Sequence, residues 1–217
     1  MIVQISWLVL IFVVVIALML AVLFFQQGFP LWAALALGIM STYLVFGVVA
    51  VTLHWLLRTI VGKEVGYLPS WKVPLWGTMA ALHHRLFSAL KLFLPREYIP
   101  NALLKAFGMQ IGSGTANMGY IADPEMIFLG NNVHIGPGTI LSGHIMSRAD
   151  RRVFRAPVMI EDNVRIGKNC VIPPGVRVGP KAVILPNSYI RANENLEGGR
   201  LYGGNPAAEI LSLEEDK

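Results

Sequence analysis

Five histidines and one cysteine are the residues of this 217-residue chain best suited to proton transfer or nucleophilic attack. His144 has the setting that asks for a role. It stands at the root of a thirteen-residue break, Ile145 to Pro157, in an otherwise periodic stretch, within Leu141-Ser142-Gly143-His144. A neutral imidazole, with an ordinary pKa of about 6.5, can take a proton from a hydroxyl or amine at cytoplasmic pH. A general base so placed contributes about 10²–10⁴ in rate. His134 follows an inward Val133 and is expected to point outward. Cys170 falls on a small inward position of the repeat, so it reads as a buried structural thiol, and a lone Cys offers no disulfide.

The elements that must position His144 show themselves as a period. Positions 160, 166, 172, 178, 184 and 190 are Ile, Ile, Ile, Val, Ile and Ile, a β-branched aliphatic every six residues. Four residues after the first five stand Val164, Cys170, Val176, Ala182 and Ser188, all small or β-branched. Upstream, Ile111, Leu129, Ile135 and Leu141 share one phase, with Thr115, Val133 and Thr139 as companions. Asn117 and Asp123 interrupt that phase. A period of six suits neither a helix nor a free-standing amphipathic strand. It suits short strands turning at the corners of a triangular prism, with parallel layers about 4.8 Å apart. Between Leu141 and Ile160 the interval is 19, where 18 would keep phase, so residues 145–157 read as a loop thrown out from the prism.

The first 57 residues contain no Lys, Arg, Asp or Glu, although 14% of the chain is charged. Ile2 to Phe25 and Leu31 to Leu57 are each apolar and long enough for one crossing, since about 20 residues span a bilayer core. Gln26-Gln27-Gly28-Phe29-Pro30 reads as the turn of a transmembrane hairpin. The first run lacks a basic n-region and is followed directly by a second span, which argues against a signal peptide. Arg58 to Lys105 holds seven basic residues against Glu64 and Glu97, whereas residues 108–217 balance at eleven of each sign. By the positive-inside bias, both termini are expected in the cytoplasm, at a bacterial-type inner membrane. A nucleic-acid binder reading its target through a basic face is ruled out by the same distribution.

Pro74 to Leu94 has helical spacing, with Leu75, Trp76, Met79, Leu82, Leu86, Leu90 and Phe93 on one face and Pro95 ending it. An interfacial helix lying on the membrane is expected there. His83 and His84 read as its polar side; Ser88 and Ala89, five residues on, are not the Asp that marks glycerolipid acyltransferases.

The repeat, the block Leu129-Gly130-Asn131-Asn132-Val133-His134-Ile135-Gly136-Pro137-Gly138, the His-bearing loop, and Pro157-Val158-Met159-Ile160-Glu161-Asp162-Asn163-Val164 resemble the hexapeptide-repeat acyltransferases over roughly residues 103–210. Asp123-Pro124-Glu125 is similar to a subset acting on polysaccharides, and like blocks occur in the β-helical terminal domains of some non-ribosomal peptide synthetases. The resemblance implies a left-handed parallel β-helix, an acetyl-CoA or other acyl-CoA donor, no metal and a homotrimer. It implies a saccharide, metabolite or lipid-linked acceptor, with His144 as the base and Asn117 and Asp123 binding that acceptor. Gly204-Asn205-Pro206-Ala207 matches the family's closing motif near coenzyme A. Gly167, Lys168, Arg191 and Arg200 would join it, as would loop residues Arg148, Arg151, Arg152 and Arg155. Two positions depart from the pattern: Arg165 stands where many relatives carry an aromatic residue, and Ala208-Glu209 where they carry Lys or Arg.

The expected layout is a transmembrane hairpin at 1–60, a basic amphipathic helical linker at 61–107, an all-β left-handed parallel β-helix at 108–210 and an acidic tail at 211–217. Other readings differ in class. A non-catalytic membrane-tethered scaffold keeps the fold without the chemistry. A metalloenzyme like the γ-type carbonic anhydrases needs three convergent His, and only His134 and His144 lie in the prism. A transport protein needs a charged residue in a span, and neither span has one.

Overall fold

The computed structural model describes residues 2–90, 100–147, 150 and 152–213. The chain divides into two units, Met1–Leu53 and His54–Lys217. In the first, α1 (Ile2–Gln26) is joined by a short turn to α2 (Leu31–Val61), which runs on into the second unit. The two helices approach closely at small residues. A Cβ on Gly38 would lie 2.6 Å from the Ala17 carbonyl oxygen and 3.0 Å from the Ala21 Cβ, so only glycine fits. Over its 31 residues α2 is long and apolar enough to cross a membrane; the described side chains of α1, Val14–Gln26, form a shorter apolar helix.

The second unit is a parallel β-helix with three faces. The first face stacks Gln110–Ile111, Ile127–Leu129, Val158–Ile160, Arg177–Val178 and Asn195–Leu196. The second stacks Ala116–Asn117, His134–Ile135, Arg165–Ile166, Val183–Ile184 and Arg200–Gly204, closed by the antiparallel Ala207–Ser212. The third stacks Tyr120–Ile121, Ile140–Leu141 and Val171–Ile172. Pairs such as Ile160–Val178 and Ile166–Ile184 lie 18 residues apart, so one coil takes three hexapeptides. All six aliphatics from Ile160 to Ile190 are buried, as are the companions Val164, Cys170, Val176, Ala182 and Ser188. The Cys170 thiol donates to the Leu185 carbonyl at 3.2 Å, a structural place.

The corners require left-handed backbone. Asn132, Asn163, Asn169, Lys181, Asn187 and Asn193 all have φ between 54° and 62°. Asn tolerates this conformation because its short polar side chain bonds locally, and here the amides also stack, Asn132 Nδ2 donating to Asn163 Oδ1 at 3.4 Å. Lys181, one coil beyond Asn163, takes the same φ without that compensation. Lys181→Asn should therefore raise stability by about 0.5–1 kcal/mol, read as a higher denaturant midpoint at unchanged slope.

Three expectations are corrected by strand register and burial. Leu129 pairs with Ile160 across 31 residues, so the full thirteen-residue insertion sits in that coil. It is not a loop. His144–Met146 and Val153–Arg155 form an antiparallel hairpin, extended by Gly66–Tyr67 as a third strand. Next, Ile121, not Asp123, fills the inward slot opposite Leu141. The repeat shortens at Met118-Gly119 and regains length in the turn before the 3-10 segment Pro124–Met126, leaving Asp123 at the corner. Lastly, α3 (Val73–Leu90) turns its apolar face onto the β-helix and not outward. Trp76, Met79, His83, Leu86 and Phe87 are buried, and His83 Nε2 lies 2.8 Å from the Ala122 carbonyl oxygen. A neutral ring donates through one nitrogen, and the Ala122 carbonyl 2.8 Å from Nε2 is the nearer acceptor, which explains how a histidine sits on the buried side. Phe93 and Pro95 lie outside the described residues. At the far end the last strand runs to Ser212, beyond residue 210 where a tail is expected to begin.

Candidate active site

The hairpin root brings His144 onto Asp123. His144 Nδ1 lies 2.6 Å from Asp123 Oδ2, and that oxygen also accepts the Gly143 N–H at 2.9 Å. The Ser142 hydroxyl donates to the His144 carbonyl at 2.9 Å and lies 3.3 Å from Nδ1. Because a carboxylate only accepts, the proton on Nδ1 points at Asp123, which leaves Nε2 as the lone-pair nitrogen of the neutral ring. Nε2 has no hydrogen-bond partner among the described residues, and the side chain is 26% exposed. Asp123 is buried. Burial drives its carboxyl upward, but the His144 hydrogen bond and charge, helped by His83 and Arg155, hold it below the usual range.

Trp76 of α3 closes one side, its ring centroid 4.6 Å from that of His144 at 66°. Its indole N–H is buried without a partner among the described residues. Beneath the hairpin, Arg155 is fully buried, paired with Glu125 at 2.7 Å and donating to the Gly62 carbonyl at the end of α2 at 3.3 Å. This corrects the expectation that Arg155 meets a phosphate: its guanidinium is inside. Burial, then the Asp123 charge, push the Glu125 carboxyl up to about 7 against the pull of Arg155. Two carboxyls two residues apart are thus driven in opposite directions. A raised folded-state pKa on an acid gives stability that is full below the ordinary carboxylate value and lost as pH rises toward about 7. Glu125→Gln should abolish that fall. Its melting temperature, lower overall, would stay level between about pH 4.5 and 7 relative to the native profile.

Asn117 occupies an inward slot of the second face, paired with Ile135, and its Oδ1 accepts the Gly119 N–H at 3.0 Å. It is buried on the second face, whereas Asp123 stands at a corner of the third. His134 is exposed on its strand, as its spacing predicts. Gly167 packs so tightly that a Cβ would lie 2.5 Å from the Pro186 nitrogen, and Lys168 beside it is exposed. Arg191 is exposed, whereas the Arg200 guanidinium is held by Glu197 at 2.9 Å and Glu209 at 2.7 Å. Gly204-Asn205-Pro206-Ala207 makes the reversal between the last two strands, with Gly204 opposite Ala207 and a cis Asn205–Pro206 bond. Arg152 pairs with Asp150; Arg148 and Arg151 lie outside the described residues. Among the described residues no three His, Cys, Asp or Glu groups converge as a metal site.

Sequence reasoning missed Trp76, Glu125 and Arg155 as neighbours of His144. Trp76 carried a signal, its place on the apolar stripe of α3, but no local pattern says which surface that stripe meets. Glu125 lay in the Asp-Pro-Glu block without a partner to explain it.

Residues 157–192 match the family model described as bacterial transferase hexapeptide (six repeats). The β-helix is built on that repeat. The chain is also 37% identical over 86 residues to a 2,3,4,5-tetrahydropyridine-2,6-dicarboxylate N-acetyltransferase of Staphylococcus aureus strain JH9, covering 40% of this chain. The chain spans about a third of the length of the curated relatives it matches, 33% in that case. Among solved structures it is similar to a hexapeptide-repeat-containing acetyltransferase from Vibrio cholerae, with a TM-score of 0.53, 23% identity, and coverage of 69% of this chain and 97% of the other. A structure of the Vibrio cholerae protein complexed with acetyl coenzyme A gives a TM-score of 0.52 at 23% identity, covering 68% and 93%. A maltose O-acetyltransferase from Clostridium difficile 630 has a TM-score of 0.53 at 20% identity, covering 71% and 100%. At these identities the three structures bear on the fold of the hexapeptide domain.

Proposed function

We propose that this chain is a membrane-anchored acyltransferase, moving an acetyl group from acetyl-CoA to a hydroxyl or amine of a saccharide or lipid-linked acceptor. The observation that carries it is the His144–Asp123 contact at 2.6 Å, with Nε2 left unengaged. Asp123 holds the proton on Nδ1 and steadies the imidazolium. Nε2 takes the acceptor's proton as its oxygen or nitrogen attacks the thioester carbonyl. Collapse of the tetrahedral intermediate breaks the C–S bond, and the imidazolium returns the proton to sulfur. The products are an acetylated acceptor and the free thiol of coenzyme A. No enzyme nucleophile is consumed, so the buried Cys170 has no part in it.

The name of the Staphylococcus aureus relative, an N-acetyltransferase, supports the reaction class, and the acetyl coenzyme A complex of the Vibrio cholerae protein supports the donor. Gly167, Lys168, Arg191 and the turn Gly204-Asn205-Pro206-Ala207 are the residues proposed to hold coenzyme A. Arg200 would have to leave two carboxylates to join them. The anchor is read as a two-span hairpin, α1 and α2, with both termini cytoplasmic where acyl-CoA is found. Its support is the short turn between the two apolar helices and the basic residues after α2. Residues 1–60, 61–107 and 108–210 are the proposed anchor, linker and catalytic domain, and a homotrimer is proposed from resemblance.

The test is incubation of detergent-solubilised full-length protein with acetyl-CoA and extracts of free and lipid-linked saccharides. Thiol release with an acetylated product is expected. Neither coenzyme A binding nor thiol release would leave a scaffold as the better reading.

A further inference from the structure

The three-stranded sheet beside His144 has two unlike sides. Strand alternation sends Val153 and Arg155 inward, both fully buried. Tyr67, Phe154 and Ile145 lie in one cross-strand row on the other side. Tyr67 and Phe154 meet edge-on at 5.6 Å, and Arg152 lies over the Tyr67 ring at 4.4 Å. Tyr67 is 58% exposed, Ile145 41%, and Val65, two residues before Tyr67 and so on the same side, is 66%. Apolar side chains of this size around an aromatic ring with a cation above it are the chemistry of a bilayer's headgroup boundary.

The sheet is also tied to the end of the candidate span. Only residues 62–65 separate Val61, the last residue of α2, from Gly66. Arg155 donates to the Gly62 carbonyl, Lys72 to the Val61 carbonyl at 3.2 Å, and the Leu68 N–H to the Val153 carbonyl at 2.8 Å. From Val61 to Gly66 is five extended steps, about 18 Å at most, so the row cannot be far from the point where α2 ends.

We propose that the Tyr67–Phe154–Ile145 row seats on the lipid headgroup region, so that His144 works at the bilayer boundary. This rests on α2 spanning the membrane. His144 precedes Ile145 in the same strand, so one side chain faces Asp123 while its neighbour faces the lipid. An acceptor hydroxyl carried on a lipid would then reach Nε2 without leaving the headgroup layer, which deepens the proposed function toward lipid-linked substrates.

The test uses full-length protein in lipid nanodiscs, with Cys170→Ala removing the native thiol; another hexapeptide carries a buried Ala182 at the companion position. Single Ile145→Cys, Tyr67→Cys and, on the exposed second face, Arg165→Cys variants carry an environment-sensitive fluorophore. The label at 145 and 67 should emit blue-shifted light and be quenched by spin labels placed near the lipid headgroup, while the label at 165 should do neither. Water-like emission at 145 and 67 from protein retained in discs would overturn the proposal. A blue shift without lipid quenching would also overturn it, since another protein surface would then cover the row. Protein that fails to enter the discs would overturn the spanning reading, and this inference with it.

Discussion

His144→Ala should lower kcat/KM for acetyl transfer by about 10²–10⁴, the usual contribution of a positioned general base. Binding of acetyl-CoA should change little, because the residues proposed to hold it lie along the coils at 167–168, 191 and 204–207 and not on the hairpin. Asp123→Asn should cost part of the same factor. It keeps the shape of the corner but replaces an acceptor-only carboxylate with an amide that can turn its NH2 toward Nδ1, favouring the tautomer with Nε2 protonated. Isothermal titration with coenzyme A alongside steady-state rates separates the base from the donor site. An alanine variant that lost coenzyme A binding and rate together would mean that His144 holds the donor.

The second large effect is on stability. Arg155→Ala should cost about 3–5 kcal/mol, the penalty for leaving one partner of a buried ion pair without the other. Glu125 would remain buried beside the charge of Asp123, and the Gly62 carbonyl would lose its donor. Replacing both partners by apolar residues, Arg155→Met with Glu125→Leu, should restore most of the loss, since the pair's desolvation offsets much of its attraction. Chemical unfolding followed by near-ultraviolet circular dichroism would report it; Trp76, packed on the same hairpin, is one of the five tryptophans that contribute. A single variant as stable as the native chain would show that water reaches Arg155.

The parts of the fold that were legible in the sequence are those written in local repetition. From Ile160 to Ile190 an aliphatic recurs every six residues because each coil buries the same three corners, and all six are inside. The insertion was legible as a broken period, and so was the place of His144 at its root. What was not legible depends on distant surfaces. The hairpin strands are three residues long, carry an arginine inside, and find their third strand at Gly66–Tyr67, nearly ninety positions earlier. The apolar stripe of α3 fits a membrane or a protein surface equally well, and only the Ala122 carbonyl, 2.8 Å from Nε2, explains why His83 belongs on it. Asp123 was out of phase by two residues because the coil shortens at Met118-Gly119, a change that six-residue counting does not detect. That displacement is what brings its carboxylate to His144.

The central claim is that the His144–Asp123 pair activates an acceptor toward acetyl-CoA. A single-turnover experiment on full-length protein, with radiolabelled acetyl-CoA and a lipid-linked saccharide pool, tests it most directly. Label should appear in the acceptor with native protein and slow by at least about a hundredfold with His144→Ala protein that still binds coenzyme A. Equal transfer by the two proteins would contradict the account.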